Sequence, residues 1–219
     1  MLRKLTLLLI LPCLCFTARA QFDVRVNTFI QEDLRKGAPF YDIGSVSRFV
    51  PSVLHMGLGL AGVPSKHAFV DRALESTIAY TCSLSAGYLL KWAVARERPD
   101  HSDLRSMPSG HTLFAFTGAG LTGIDYGPGW AAGAYTVAVF TGAERLWGNR
   151  HWMTDVLAGA GIGILSAYAG KWLLQPVKDL FRIPDIPWDG FGTRPAALSF
   201  VPVADPYSGT LCASLTVSF

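Results

Sequence analysis

The residues able to handle a phosphate fall mostly within one stretch, Lys91 to Asp155, in three blocks. The first is KWAVARERP, in which Lys91 precedes Arg98 and Pro99 closes the run. The second is MPSGHT, carrying Pro108, Ser109, Gly110 and His111. The third is ERLWGNRHWMTD, with Arg145, then His151, then Asp155. Three cations, two imidazoles and a carboxylate can perform phosphoryl transfer without a metal ion. A phosphoryl group in flight spreads its charge over the equatorial oxygens, so positioning and electrostatic stabilisation do most of the catalysis. An arginine fork matches two phosphate oxygens at once.

Local sequence supports those roles. Pro-Ser-Gly before an apolar run reads as a helix start with Ser109 at the N-cap. The free N–H groups of such a start seat an anion, and His111 falls in the first turn, near a leaving oxygen. His151 and Asp155 are spaced i, i+4, which places both on one helix face. A carboxylate there can hold one ring nitrogen while the other attacks phosphorus.

Together the three blocks resemble the signature of the type 2 phosphatidic acid phosphatase superfamily, which includes bacterial acid phosphatases and vanadium haloperoxidases. That pattern is Lys-x6-Arg-Pro, then Pro-Ser-Gly-His, then Ser-Arg-x5-His-x3-Asp. One position departs from it: Glu144 stands before Arg145 where the family usually has Ser, and Glu144 is left out of the expected site. The resemblance implies His151 as the nucleophile forming a phosphohistidine, Asp155 as its orienter and His111 as the general acid. It implies Lys91, Arg98, Ser109, Gly110 and Arg145 as phosphate ligands. It implies no cofactor and no metal, and the sequence shows no HExxH, paired CxxC or acidic cluster with ligand spacing. The implied reaction is removal of phosphate from a lipid phosphate, with lipid A phosphate first and undecaprenyl pyrophosphate next. The alternatives are a soluble periplasmic acid phosphatase, a vanadate-dependent haloperoxidase and a protein that binds lipid phosphates without turnover.

The elements that must carry these residues are helical. Half of the 219 residues are hydrophobic and 16% charged, against about a quarter charged in typical soluble domains. The net charge of +3 is too small to argue for nucleic acid, and no basic tract interleaves with aromatics. Residues 1–20 combine a basic start, an apolar stretch and an Ala-x-Ala end, which reads as an export signal cleaved before Gln21 or as an uncleaved anchor. A lead-in helix is expected over 22–35. Five apolar runs follow, at 49–63, 73–95, 110–125, 129–147 and 153–174, punctuated by Gly and Pro. The expected fold is all-α: a bundle of five to six helices over 21–182, membrane-embedded, with a Pro-rich tail over 183–219 containing two short strands as a β-hairpin. Oligomeric state is not legible.

Spanning a bilayer needs ~20 mainly apolar residues, and the charge-free stretches 76–90, 112–124 and 156–170 fall short of that. By that measure the helices suit the core of a soluble enzyme. Topology favours the membrane. If all five runs cross, the three blocks meet at one face, and Lys66, Arg72, Lys171, Lys178 and Arg182 lie at the other, as the positive-inside tendency asks. The expected location is therefore the inner membrane, among its lipids, with the site facing the periplasm. Arg96, His101, Arg105 and Arg150 read as rim charges, and His55 and His67 as structural. Trp92, Trp147 and Trp152 read as an interfacial belt or pocket wall. Cys82 and Cys212 are not expected to form a disulfide.

Overall fold

Small residues at helical spacing decide how the helices meet. In the computed structural model, described over residues 20–186 and the backbone of 197–204 and 211–218, five long helices pack together. They are α1 (Val50–Leu60), α2 (Phe69–Val94), α3 (Gly110–Tyr126), α4 (Pro128–Trp147) and α5 (Met153–Phe181). The first four each match an apolar run of the sequence to within a few residues, and α5 runs past the end of its own. The lead-in is helical from residue 20 and ends in a π-helical stretch, Phe29–Arg35, followed by the short helical turn Gly44–Ser47.

α3 lies at the centre and is buried along most of its length. The glycines of α5 allow it to approach. A Cβ at Gly159 would sit 2.6 Å from the Ser109 carbonyl oxygen, and one at Gly163 2.6 Å from that of Leu113. At Gly170 a Cβ would come within 2.8 Å of the Glu75 carbonyl oxygen on α2. The core between helices is correspondingly fine-grained: Ala79, Ala115, Ala119, Ala134, Ala138 and Ala167, with Leu113 and Leu121. Buried Thr117 and Thr122 return their hydroxyls to the carbonyls four residues back.

The large apolar side chains face outward instead. Leu89, Trp92, Val139, Phe140, Leu157, Leu165 and Trp172 are all exposed. Small residues inside and large ones outside is the pattern that lipid-facing bundles show. By length and composition, α5 is the helix among the described residues that could cross a membrane.

The sequence ends the last run at 174, ahead of Pro176, whereas α5 continues to Phe181. Leu174 and Lys178 are buried beyond that point, and Lys178 Nζ donates to Asp71 at 2.7 Å, so tertiary contacts outweigh the hydrogen bond that proline forfeits. In the tail, β1 (Ala197–Ala204) pairs antiparallel with β2 (Leu211–Ser218), Ala197 opposite Ser218 and Ala204 opposite Leu211. Residues 1–19 of the signal or anchor expected over 1–20, and the turn at 205–209, lie outside the described residues.

Candidate active site

Four helix ends bring the three blocks to one end of the bundle: the end of α2, the starts of α3 and α5, and the end of α4. The backbone N–H of Ser109 donates to the Asp155 carbonyl oxygen at 3.0 Å. With Gly159 allowing close approach, this bond locks the first turn of α3 to the first turn of α5, so that the two histidines line one cavity. That cavity, of about 290 Å³, is bordered on its polar side by Arg48, Lys91, Arg98, Gly110, His111 and His151. A Cβ at Gly110 would meet nothing within 4 Å, which leaves room for a ligand against the helix start. Leu84, Tyr88, Leu113 and Phe114 form the apolar wall.

Each cation is held in place by the backbone or a carboxylate. Lys91 Nζ donates to the carbonyl oxygens of Arg105 and Pro108, both at 2.7 Å. Arg98 Nε donates to Asp103 at 2.7 Å, and that bond holds the Asp103 carboxyl below its usual range. One Arg98 terminal nitrogen lies 3.5 Å from His151 Nε2.

His151 is buried, and burial depresses its pKa, with Arg98 and Lys91 pushing the same way. Its Nδ1 stands 3.8 Å from Asp155 Oδ2, beyond hydrogen-bond length, and has no hydrogen-bond partner among the described residues. The reason is that Asp155 is already engaged. Its Oδ2 accepts from Ser106 Oγ and from the Trp152 backbone N–H at 2.9 Å; its Oδ1 accepts from Arg96 at 2.8 Å. Asp155 thus sits under His151 within a network that fixes its position.

Three expected roles change. Arg96, read as a rim charge, is a positioning residue that bridges Asp155 and Asp23, donating to Asp23 Oδ2 at 2.6 Å. Ser109 stands at the N-cap position without a side-chain cap, and its hydroxyl pairs with Thr112 Oγ1 at 2.9 Å instead of facing the cavity. Arg145 lies behind His111, 3.3 Å from its Nε2, and its guanidinium is claimed by Glu144 at 2.8 Å and Asp42 at 2.5 Å. Glu144, expected outside the site, is therefore part of its electrostatics. His101 pairs with Glu97 and Arg150 with Asp100 at the surface. Trp152 donates from Nε1 to the Glu97 carbonyl oxygen at 2.8 Å.

Two contributors were missed. Arg48, just before α1, approaches His111 Nε2 at 3.4 Å and lines the cavity. Asp23 accepts from the Thr154 N–H at 2.9 Å and so caps α5 from a distant segment. Neither belongs to a spaced motif. Only the presence of a charged residue in a mixed polar lead-in could have marked them.

Residues 72–179 match the family model of the PAP2 superfamily. The lipid A 1-phosphatase of Porphyromonas gingivalis is 38% identical over 147 residues, which cover 65% of this chain. The same alignment covers 32% of that protein, so the chain spans about a third of the length of this curated relative. Among solved structures, the crystal structure of Aquifex aeolicus LpxE superposes with a TM-score of 0.51 at 21% identity, over 68% of this chain and 94% of that one. At that identity the likeness is one of fold.

Proposed function

On the match of residues 72–179 to the PAP2 superfamily, we propose that this chain is a phosphatase of that kind acting on a phosphorylated lipid. Lipid A is the favoured substrate, its 1-phosphate first, in keeping with the activity named for the 38%-identical relative. The observation that carries the reading is the two-sided cavity: cations and paired imidazoles at one edge, Leu84, Tyr88 and Phe114 at the other. A free sugar phosphate has no use for that apolar wall, whereas a lipid phosphate fits both sides.

The reaction runs in two balanced steps. His151 Nε2 forms a bond to phosphorus as the bond from phosphorus to the lipid oxygen breaks. His111 gives a proton to that departing oxygen. Water then attacks the phosphohistidine, losing its proton to His111, and the N–P bond breaks to release inorganic phosphate. Lys91, Arg98, Arg48 and the first-turn N–H groups of α3 stabilise the equatorial oxygens. Arg48 and Arg145 both donate towards His111 Nε2 in this arrangement. An incoming phosphate draws those donors to itself, and its negative charge favours the protonated imidazole needed as acid.

The site is proposed to open at the membrane boundary on the periplasmic side, with a soluble periplasmic acid phosphatase as the second reading. The outward-facing apolar side chains support the first. The decisive experiment incubates the full chain in detergent with lipid A, undecaprenyl pyrophosphate, glycerophospholipid phosphates and soluble phosphomonoesters, measuring released phosphate. Turnover of lipid A, lost by ~10³-fold or more in His151→Ala, is the expected result. Normal turnover in that variant, or activity confined to soluble esters, would remove the proposal.

A further inference from the structure

At the far end of the bundle a second group of chemically capable side chains converges. Glu75 lies sixteen residues before Lys91 on α2, a separation of about 24 Å at the helical rise. His67 enters from the segment leading into α2, and Asp125 from the end of α3. His67 Nδ1 and one carboxylate oxygen each from Glu75 and Asp125 lie within 4.8 Å of one another. His67 Nδ1 is 2.7 Å from Asp125 Oδ1 and 3.4 Å from Glu75 Oε2.

The second observation is Glu75 itself. It is fully buried, and neither of its oxygens has a hydrogen-bond partner among the described residues. An unpaired carboxylate beside a second buried carboxylate is strongly unfavourable. Arg72, three residues earlier, makes no hydrogen bond to it: its Nη1 donates to Ser65 and Tyr126, and its Nε and Nη2 have no hydrogen-bond partner among the described residues. The His67 proton goes to Asp125. Asp125 thus takes the hydrogen bonds of both imidazoles, and Glu75 beside it is left without one.

We propose that His67, Glu75 and Asp125 bind a divalent transition-metal ion, Zn²⁺ fitting best, which ties the α1–α2 connection to α2 and α3. One imidazole and two carboxylates neutralise a doubly charged cation and are ordinary zinc donors, with bonds near 2.0–2.2 Å. A tetrahedral ion with such bonds spaces its ligands by roughly 3.4 Å. The His67–Glu75 separation already matches, and the His67–Asp125 contact of 2.7 Å opens by about 0.7 Å when the metal replaces the shared proton. Outer support is in place. His55 Nε2 pairs with the other Asp125 oxygen at 2.6 Å, and Ser76 Oγ lies 3.3 Å from His55 Nδ1. Metal-binding carboxylates are oriented in this way. The His67 side chain is 28% exposed, which gives the ion a route from solvent.

The test is independent of phosphatase activity. Tag-free full-length chain in detergent is stripped with EDTA, dialysed against Zn²⁺ and its metal content counted. The expected uptake is about one Zn²⁺ per chain, retained in His151→Ala. Glu75→Gln and His67→Ala each weaken binding by about tenfold or more. His67 is part-exposed, so its variant keeps wild-type helicity by circular dichroism. On the wild-type chain alone, Zn²⁺ raises the midpoint of thermal unfolding, Mg²⁺ does not, and EDTA reverses the shift. Failure of the stripped wild type to take up Zn²⁺, or wild-type zinc binding in both variants, overturns the proposal.

Discussion

At the scale of single residues, the site is governed by who claims each charge. Arg145 reaches His111 but is held by Glu144 and Asp42. Glu144→Ser, which restores the residue usual in the resembled family, leaves the guanidinium with one carboxylate fewer. The expected outcome is tighter competitive inhibition by inorganic phosphate, by about two- to tenfold, with kcat nearly unchanged. An inhibition constant that does not move would show that Arg145 takes no part in holding phosphate. His151 carries a second prediction. As the proposed nucleophile it reacts in its neutral form, and burial with Arg98 and Lys91 nearby depresses its pKa. Protonation therefore removes the nucleophile only below the ordinary imidazole value of about 6.5, and the acid limb of kcat/KM lies below that value. Arg98→Ala removes one of the opposing cations, so the limb shifts to higher pH. The substrate's own second ionisation, near ~6, is common to both enzymes and cancels in the comparison. A limb that stays put or moves to lower pH in Arg98→Ala would sink the argument. Spacing made His111, His151, Asp155, Lys91 and Arg98 legible in the sequence, because each sits at a fixed offset from a helix end. Arg48 and Asp23 were not, since they reach the site from segments whose placement only the tertiary fold decides. The same holds for the network that takes Asp155 away from His151 Nδ1: Arg96 needs Asp23 and Thr154 beside it before it becomes more than a surface charge.

At the scale of elements, helix contact depends on missing side chains. Gly163 on α5 meets the backbone of α3, where an added Cβ would sit 2.6 Å from the Leu113 carbonyl oxygen and 2.9 Å from the Thr117 nitrogen. Backbone cannot yield as a flexible side chain does. Gly163→Ala should therefore destabilise by about 1–3 kcal/mol, read as a lower thermal midpoint in detergent. Gly161, two residues earlier, has nothing within 4 Å of the same position, so Gly161→Ala should be neutral or slightly stabilising through helix propensity. Equal effects at the two positions would mean that α3 and α5 do not pack as described. The sequence revealed that glycines recur on this helix; which of them touch a neighbour follows from the rotation of α5, which periodicity alone leaves open. Helix existence was the most legible feature, since Gly and Pro punctuate the apolar runs. The continuation of α5 through Pro176 was hidden, because it rests on Lys178 meeting Asp71, more than a hundred residues away in the chain.

At the scale of the molecule, charge can set orientation only where it remains free. The positive-inside reading counted Lys66, Arg72, Lys171, Lys178 and Arg182 at the end away from His151. Arg72 and Lys178 are buried there, the first bonded to Ser65 and Tyr126, the second ion-paired with Asp71 and Asp185. That leaves Lys66, Lys171 and Arg182 exposed, against Arg25, Lys36, Arg105 and Arg150 exposed at the site end, where Asp23 and Gln31 anchor the lead-in. That balance favours neither orientation, so which side of the proposed membrane the site faces turns on accessibility. Labelling from one side of that membrane separates the cases. In a chain whose native cysteines are replaced, Arg150→Cys reports the site end and Lys66→Cys the opposite end. Both positions are surface charges outside the reacting groups. A membrane-impermeant maleimide applied to intact spheroplasts should modify Arg150→Cys at once, and Lys66→Cys only after lysis. The reverse pattern would turn the site towards the cytoplasm and exclude a periplasmic substrate. Modification of both before lysis, with the chain released by osmotic shock, would mean that Leu89, Val139, Leu157 and Trp172 face something other than lipid, and the soluble acid phosphatase would become the better reading.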